Sequence, residues 1–127
     1  MKKTKMLKKN YEFKNVLSKG KYYSGKYIEA FIQDTTKRSI NYNFLGIAIS
    51  VKIAKATKRN YLKRLIRENY KNYEKSLKTG KSMVFLWKKK AALKDANYKN
   101  IKEDMEKIFD KAELLIEENK WKNYLYG

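Results

Sequence analysis

Any compact fold of this chain must carry a net charge of +19, because 32 lysines and arginines stand against 13 acids. An excess of that size makes the folded state repel itself unless a polyanion neutralises it. A biased nucleotide composition accounts for abundant Lys, Asn, Tyr and Ile. The same bias enriches Asp and Glu, however, and these stay scarce. A nucleic-acid partner is therefore expected from the basic footprint, with an anionic membrane surface as the rival.

The 127 residues read as a single RNA-binding domain, 1–127, large enough for a modest core. No run of 18 apolar residues offers a membrane-spanning helix. Met1 to Lys9 is basic but no apolar segment follows it, so no secretory signal is expected and a cytoplasmic location is. Histidine and cysteine are both absent, which excludes a Ser/His/Asp triad, a Cys/His pair and a zinc site on those ligands. Any metal would have to be a hard cation on oxygen ligands. No catalytic residue and no metal ligand is assigned.

Proline is absent too, so breaks are read from glycine, polar clusters and changes of period. Residues 10–19 read as a helix, with Asn10 as N-cap, Phe13, Val16 and Leu17 at helical spacing and Gly20 as the stop. Tyr27 to Gln33 alternates, with Ile28, Ala30 and Ile32 on one face and Tyr27, Glu29, Phe31 and Gln33 on the other. Asp34 to Asn43 reads as a loop, and Leu45 to Val51 alternates again through Leu45, Ile47, Ile49 and Val51. A helix is expected from about Thr57 to Leu77, stopped by Thr79 and Gly80. Met83 to Trp87 is a strand buried on both faces. A last helix is expected from Asn97 to about Asn119, and Lys120 to Gly127 has no clear period. The order is α, two or three strands, α, β, α: an α+β sandwich.

The middle helix carries the strongest signal. Leu62, Leu65, Ile66 and Tyr73 share one stripe, while Asn60, Lys63, Arg64, Arg67 and Lys71 occupy an arc of roughly 140° opposite, with Arg59 at its edge. Arg59, Lys63, Arg67 and Lys71 repeat at i+4, a spacing at which like charges cost an isolated helix about 0.2–0.5 kcal/mol per pair. A merely solvated face would interleave glutamates. Three of the chain's four arginines lie here, where planar bidentate geometry suits phosphate.

The first strand offers Tyr27 and Phe31 beside Gly46, Ala48 and Ser50 of its neighbour. Aromatic planes over a floor of small side chains suit stacked bases of a single strand. A helix covering this face, with Phe31 as ordinary core, fits the period equally well. Phe13 and Leu17 either flank such a groove or pack the first helix.

Gly46-Ile-Ala-Ile-Ser50, followed by the basic stretch from Lys52 to Arg67, resembles the signature of the bacterial ribonuclease P protein family. That family shows Arg-Asn-Arg-x-Lys-Arg-x-x-Arg on a helix; Arg59, Asn60, Lys63, Arg64 and Arg67 match it, and Tyr61 replaces its second arginine. Leu7-Lys-Lys-Asn-x-x-Phe13 is similar to its first helix. The resemblance spans about residues 5–115, with an extension at about 117–127. It implies an αβββαβα two-layer sandwich, similar to the second domain of the fifth small-subunit ribosomal protein, with a left-handed βαβ crossover against the usual preference. It implies the auxiliary subunit of an endoribonuclease that removes the 5′ leader of precursor tRNA, with catalysis by the RNA subunit and Mg²⁺. Arg59, Asn60, Lys63, Arg64 and Arg67, with Lys52, Lys55 and Lys58, would bind the catalytic RNA. Phe13, Leu17, Phe31, Tyr27 and Ser50 would hold the leader. A general or ribosomal RNA-binding protein without a processing role is the alternative. A nuclease acting alone and a membrane-surface protein fit less well.

Overall fold

The computed structural model describes residues 3–35 and 40–116. Five strands form one sheet: β1 (Thr4–Met6), β2 (Lys21–Ser24), β3 (Ile28–Asp34), β4 (Asn43–Ala48) and β5 (Lys81–Trp87). Three helices, α1 (Asn10–Lys19), α2 (Ala56–Tyr73) and α3 (Tyr98–Lys111), complete the described elements, with short 3-10 turns at Glu74–Ser76 and Leu93–Asp95. The spatial order is β1-β4-β5-β3-β2. β4 runs parallel to both β1 and β5, and β3 antiparallel to β2 and β5.

Alternation decides the two faces. Ile28, Ala30 and Ile32 of β3 pair with Trp87, Phe85 and Met83 of β5, and Leu45 joins Met83 from β4. All are buried, and against them lie Leu62, Leu65, Ile66 and Tyr70 of α2 with Ile101, Met105, Ile108 and Phe109 of α3. β5 is the central strand, and Ser82 through Phe85 are buried in succession, as a strand covered on both sides requires. The opposite face is covered in part by α1, through a smaller cluster of Leu7, Val16 and Val84.

Several expectations change. A leading strand, β1, precedes α1, so the order is βαβββαβα. Lys9, not Asn10, occupies the N-cap of α1; the Glu12 carboxylate accepts from the Lys8 and Lys9 amides at 3.1 and 2.9 Å. Those amides, Lys9's first, hold the Glu12 carboxyl below its ordinary pKa. Gly20 does end α1, but at φ −71 rather than in the left-handed region. Glycine is needed there for space, because a Cβ would lie 2.5 Å from the Val16 carbonyl oxygen.

β4 stops at Ala48, and Val51 is exposed in the turn that follows rather than facing the core. α2 gives way to the 3-10 turn after Tyr73, and Gly80 adopts φ +85 before β5. α3 starts on Asn97, whose side chain accepts from Asn100 N, but ends at Lys111. Glu113 takes φ 56, and Leu115 then pairs with Leu77 in an antiparallel bridge. The apolar residues at 114–116 thus lie past the helix although their spacing continues its period, because the left-handed turn at Glu113 redirects the chain toward Leu77. Residues 117–127, with Trp121, Tyr124 and Tyr126, lie outside the described residues.

Candidate nucleic-acid interface

The basic flank of α2 stands as its period requires. Asn60, Arg64, Arg67 and Lys71 are exposed, and Lys63 is half-buried. Lys71 approaches Glu68 at 3.6 Å, a surface pair of small energetic weight. Among the described residues, neither Arg64 nor Arg67 forms an ion pair.

Two cations of this region do something else. The Arg59 guanidinium donates from Nη1 to the Ala54 carbonyl at 2.8 Å, which ties the loop after β4 to the first turn of α2. Lys58 lies about 160° round the helix from the centre of the basic stripe, over the Tyr61 ring at 4.8 Å. Tyr61 in turn donates to the Ala96 carbonyl at 3.2 Å. Tyr61 therefore braces α2 against the segment before α3, and Lys58, lying over its ring, stands apart from the cluster in which its sequence position placed it. Lys52 and Lys55 are exposed on the loop, where they extend the positive surface toward the sheet.

The second surface lies between α1 and the sheet. Phe13 and Leu17 of α1 pack beside Phe31 and Leu86, all half-buried, around Val16 and Val84. Gly46 makes room for Phe13: a Cβ there would meet the ring at 2.6 Å. The small-residue floor is thus filled at Gly46 by the protein's own phenylalanine, so α1 covers part of this face. Phe31 and Leu86 with Ala48 form the part-exposed remainder, and exposed Ser50 follows at the end of β4.

Tyr27 lies elsewhere. It is 9% exposed, belongs to the main core and stacks on Trp87 at 6.2 Å between ring centroids. The alternation does not extend back to residue 27, because β3 begins at Ile28. The preceding turn is held by the buried Asp104 carboxylate, which accepts from the Lys26, Tyr27 and Ile28 amides. In place of Tyr27 the cleft has Tyr22, from the strand β2 that sequence periodicity left undrawn. Its ring is 5.2 Å from Phe31, and its hydroxyl donates to Glu29 at 2.6 Å. Cross-strand pairing of Tyr22 with Phe31 and of Ser24 with Glu29 puts these groups on one face.

One exposed helix flank thus presents guanidinium groups that have no ion-pair partner among the described residues, and a neighbouring cleft presents half-buried aromatic and aliphatic side chains. Comparison with known proteins matches residues 1–113 to the family described as Ribonuclease P. The chain is 36% identical over 107 residues to the ribonuclease P protein component of Clostridium botulinum, covering 84% of this chain and 92% of that one. It is 33% identical over 114 residues to that of Clostridioides difficile, covering 89% and 96%. Among solved structures, the Staphylococcus aureus RNase P protein matches with a TM-score of 0.73 at 26% identity, over 87% of this chain and 96% of that one. The Thermotoga maritima RNase P protein shares the fold, with a TM-score of 0.73 at 23% identity over 84% and 96%.

Proposed function

From the premise that the chain belongs to the ribonuclease P protein family, we propose a division of labour between its two surfaces. Its role is that of the protein subunit of ribonuclease P, part of an endoribonuclease complex that processes tRNA. In the proposed arrangement the basic flank of α2 binds the phosphate backbone of the catalytic RNA through Arg64, Arg67, Lys63 and Asn60. Arg59 shapes the approach, and Lys52 and Lys55 continue it. The cleft of Phe13, Leu17 and Phe31, with Ser50 at its end, holds the single-stranded 5′ leader of precursor tRNA. The observation that carries this reading is the exposure of Arg64 and Arg67 without an ion-pair partner among the described residues.

In this reading the protein supplies affinity and placement, and hydrolysis belongs to the RNA. Among the described residues no group of three or more acids gathers to hold a metal. In this reading Mg²⁺ is held mainly by the RNA subunit. The proposed setting is the cytoplasm.

Reconstitution with a bacterial ribonuclease P RNA at low Mg²⁺ tests the proposal. The protein is expected to restore leader removal and to be inactive without the RNA. Binding of RNA with no gain in cleavage points instead to a general RNA-binding protein.

The cleft makes a separate prediction. Phe31→Ala removes a stacking surface worth about 1–3 kcal/mol, so precursor tRNA binds roughly 5- to 150-fold more weakly while mature tRNA is unaffected. Binding titrations with the two tRNAs check this, and equal loss for both refutes the assignment of the leader to this face.

A further inference from the structure

Beyond Phe31, β3 continues along the cleft floor to Glu29, cross-strand from Leu86. Among the described residues of the five strands, Glu29 is the one acid on this face. It is only half-buried, yet its position is fixed: Oε2 accepts from the Tyr22 hydroxyl at 2.6 Å, and the Tyr22 ring leans on Phe31. The hydroxyl keeps its proton, since the bond to Glu29 raises the Tyr22 pKa. Lys26, Lys88, Lys89 and Lys90 line the same hollow as Glu29. None of them forms an ion pair with it among the described residues. Lys88 donates instead to Ser24 Oγ and the Gly25 carbonyl, at 2.8 and 3.0 Å.

A lone carboxylate is a poor element for a surface that needs only to attract a polyanion. It repels phosphate, while the lysines around it collect phosphate. A single strand entering here lays its backbone on the lysine side and turns a base toward the floor, where Phe31 offers a stacking plane.

We propose that Glu29 is a specificity-determining residue for the leader, its Oε1, which has no partner among the described residues, accepting N–H groups of one base stacked beside Phe31. This rests on the reading of the cleft as the leader site. Adenine and cytosine each offer an amino group, and guanine offers an imino and an amino hydrogen side by side. Uracil offers a single imino hydrogen between two carbonyl oxygens, and those oxygens repel the carboxylate. Pairing of a carboxylate with a base amino group is a recognised mode of readout. The leader position over Phe31 therefore accepts adenine, cytosine or guanine and rejects uracil.

The test scans uridine through the leader of a precursor tRNA whose leader otherwise lacks it. Binding is measured to holoenzyme reconstituted with a bacterial ribonuclease P RNA. One position is expected at which uridine weakens wild-type binding about tenfold, within the range of a single base contact. Glu29→Gln removes that penalty, because the amide nitrogen donates to a uracil carbonyl. Tyr22→Phe keeps the ring against Phe31 but frees the carboxylate, and reduces the discrimination. A flat scan, or a uridine penalty unchanged in Glu29→Gln, overturns the proposal while the holoenzyme still prefers precursor over mature tRNA. Equal wild-type binding of precursor and mature tRNA overturns the leader reading, and this one with it.

Discussion

Replacing Arg64 and Arg67 together by alanine is expected to weaken binding to ribonuclease P RNA by more than about 100-fold and to flatten its salt dependence. Each charge-assisted bond to phosphate contributes about 1.5–3 kcal/mol, and each neutralised phosphate adds nearly one unit to the slope of log K against log salt. Losing two contacts therefore lowers the slope by about 1.5–2. The two arginines are chosen because both are exposed and, among the described residues, neither is engaged in an ion pair. The double variant should melt with the wild type. Arg59 is excluded because its bond to the Ala54 carbonyl ties down the loop before α2, so its loss would mix structural and binding effects. Binding isotherms between about 0.05 and 0.3 M salt suffice, spanning the range where counterion release dominates. An unchanged slope refutes phosphate contact by this flank.

Why this flank was legible and other features were not has a physical answer. Helical period acts over many residues, so α1 and the body of α2 can be read directly, and a charge stripe without acids needs no tertiary knowledge. β1 is only three residues long and exists because β4 offers a parallel partner, with Leu7 N continuing the ladder to the Leu45 carbonyl at 2.8 Å. Nothing local announces it. Tyr27 illustrates a limit of alternation, since a strand's parity holds only within its hydrogen-bonded span and β3 starts one residue later. Lys58 belongs to the basic cluster by sequence proximity, but the helical period itself puts it about 160° from the centre of the stripe, over the Tyr61 ring. The cleft was left open between exposed and covered readings, and it is both: Gly46 is spent on Phe13, while Phe31 and Leu86 stay half-exposed. Tyr22 and Glu29 meet only through strand pairing, which periodicity does not reveal.

The cleft depends on a residue far from it in sequence, and Asp104→Ala is expected to cost the fold about 3–5 kcal/mol. Asp104 is 2% exposed, on the inner side of α3. Its carboxylate accepts from the backbone amides of Lys26 and Tyr27 at 2.6 Å each and of Ile28 at 2.9 Å. Desolvating a carboxylate is expensive, and three charge-assisted bonds offset that cost. Gly25 belongs to the same arrangement, since a Cβ there would lie 2.6 Å from the carboxylate carbon. Alanine at 104 leaves three amides without their acceptor. Lys26 is exposed, so water reaches part of the turn and the loss falls below the sum of three buried deletions. The melting temperature should drop by about 10–20 °C. Asp104→Asn keeps one good acceptor and belongs between wild type and alanine. Because the turn sets where β3 begins, it also sets the positions of Glu29 and Phe31, so the alanine variant should lose leader selectivity at temperatures where it is still folded. Thermal unfolding and tRNA titrations on the same samples check both effects, and a stability loss under about 1 kcal/mol is incompatible with a carboxylate that organises the turn.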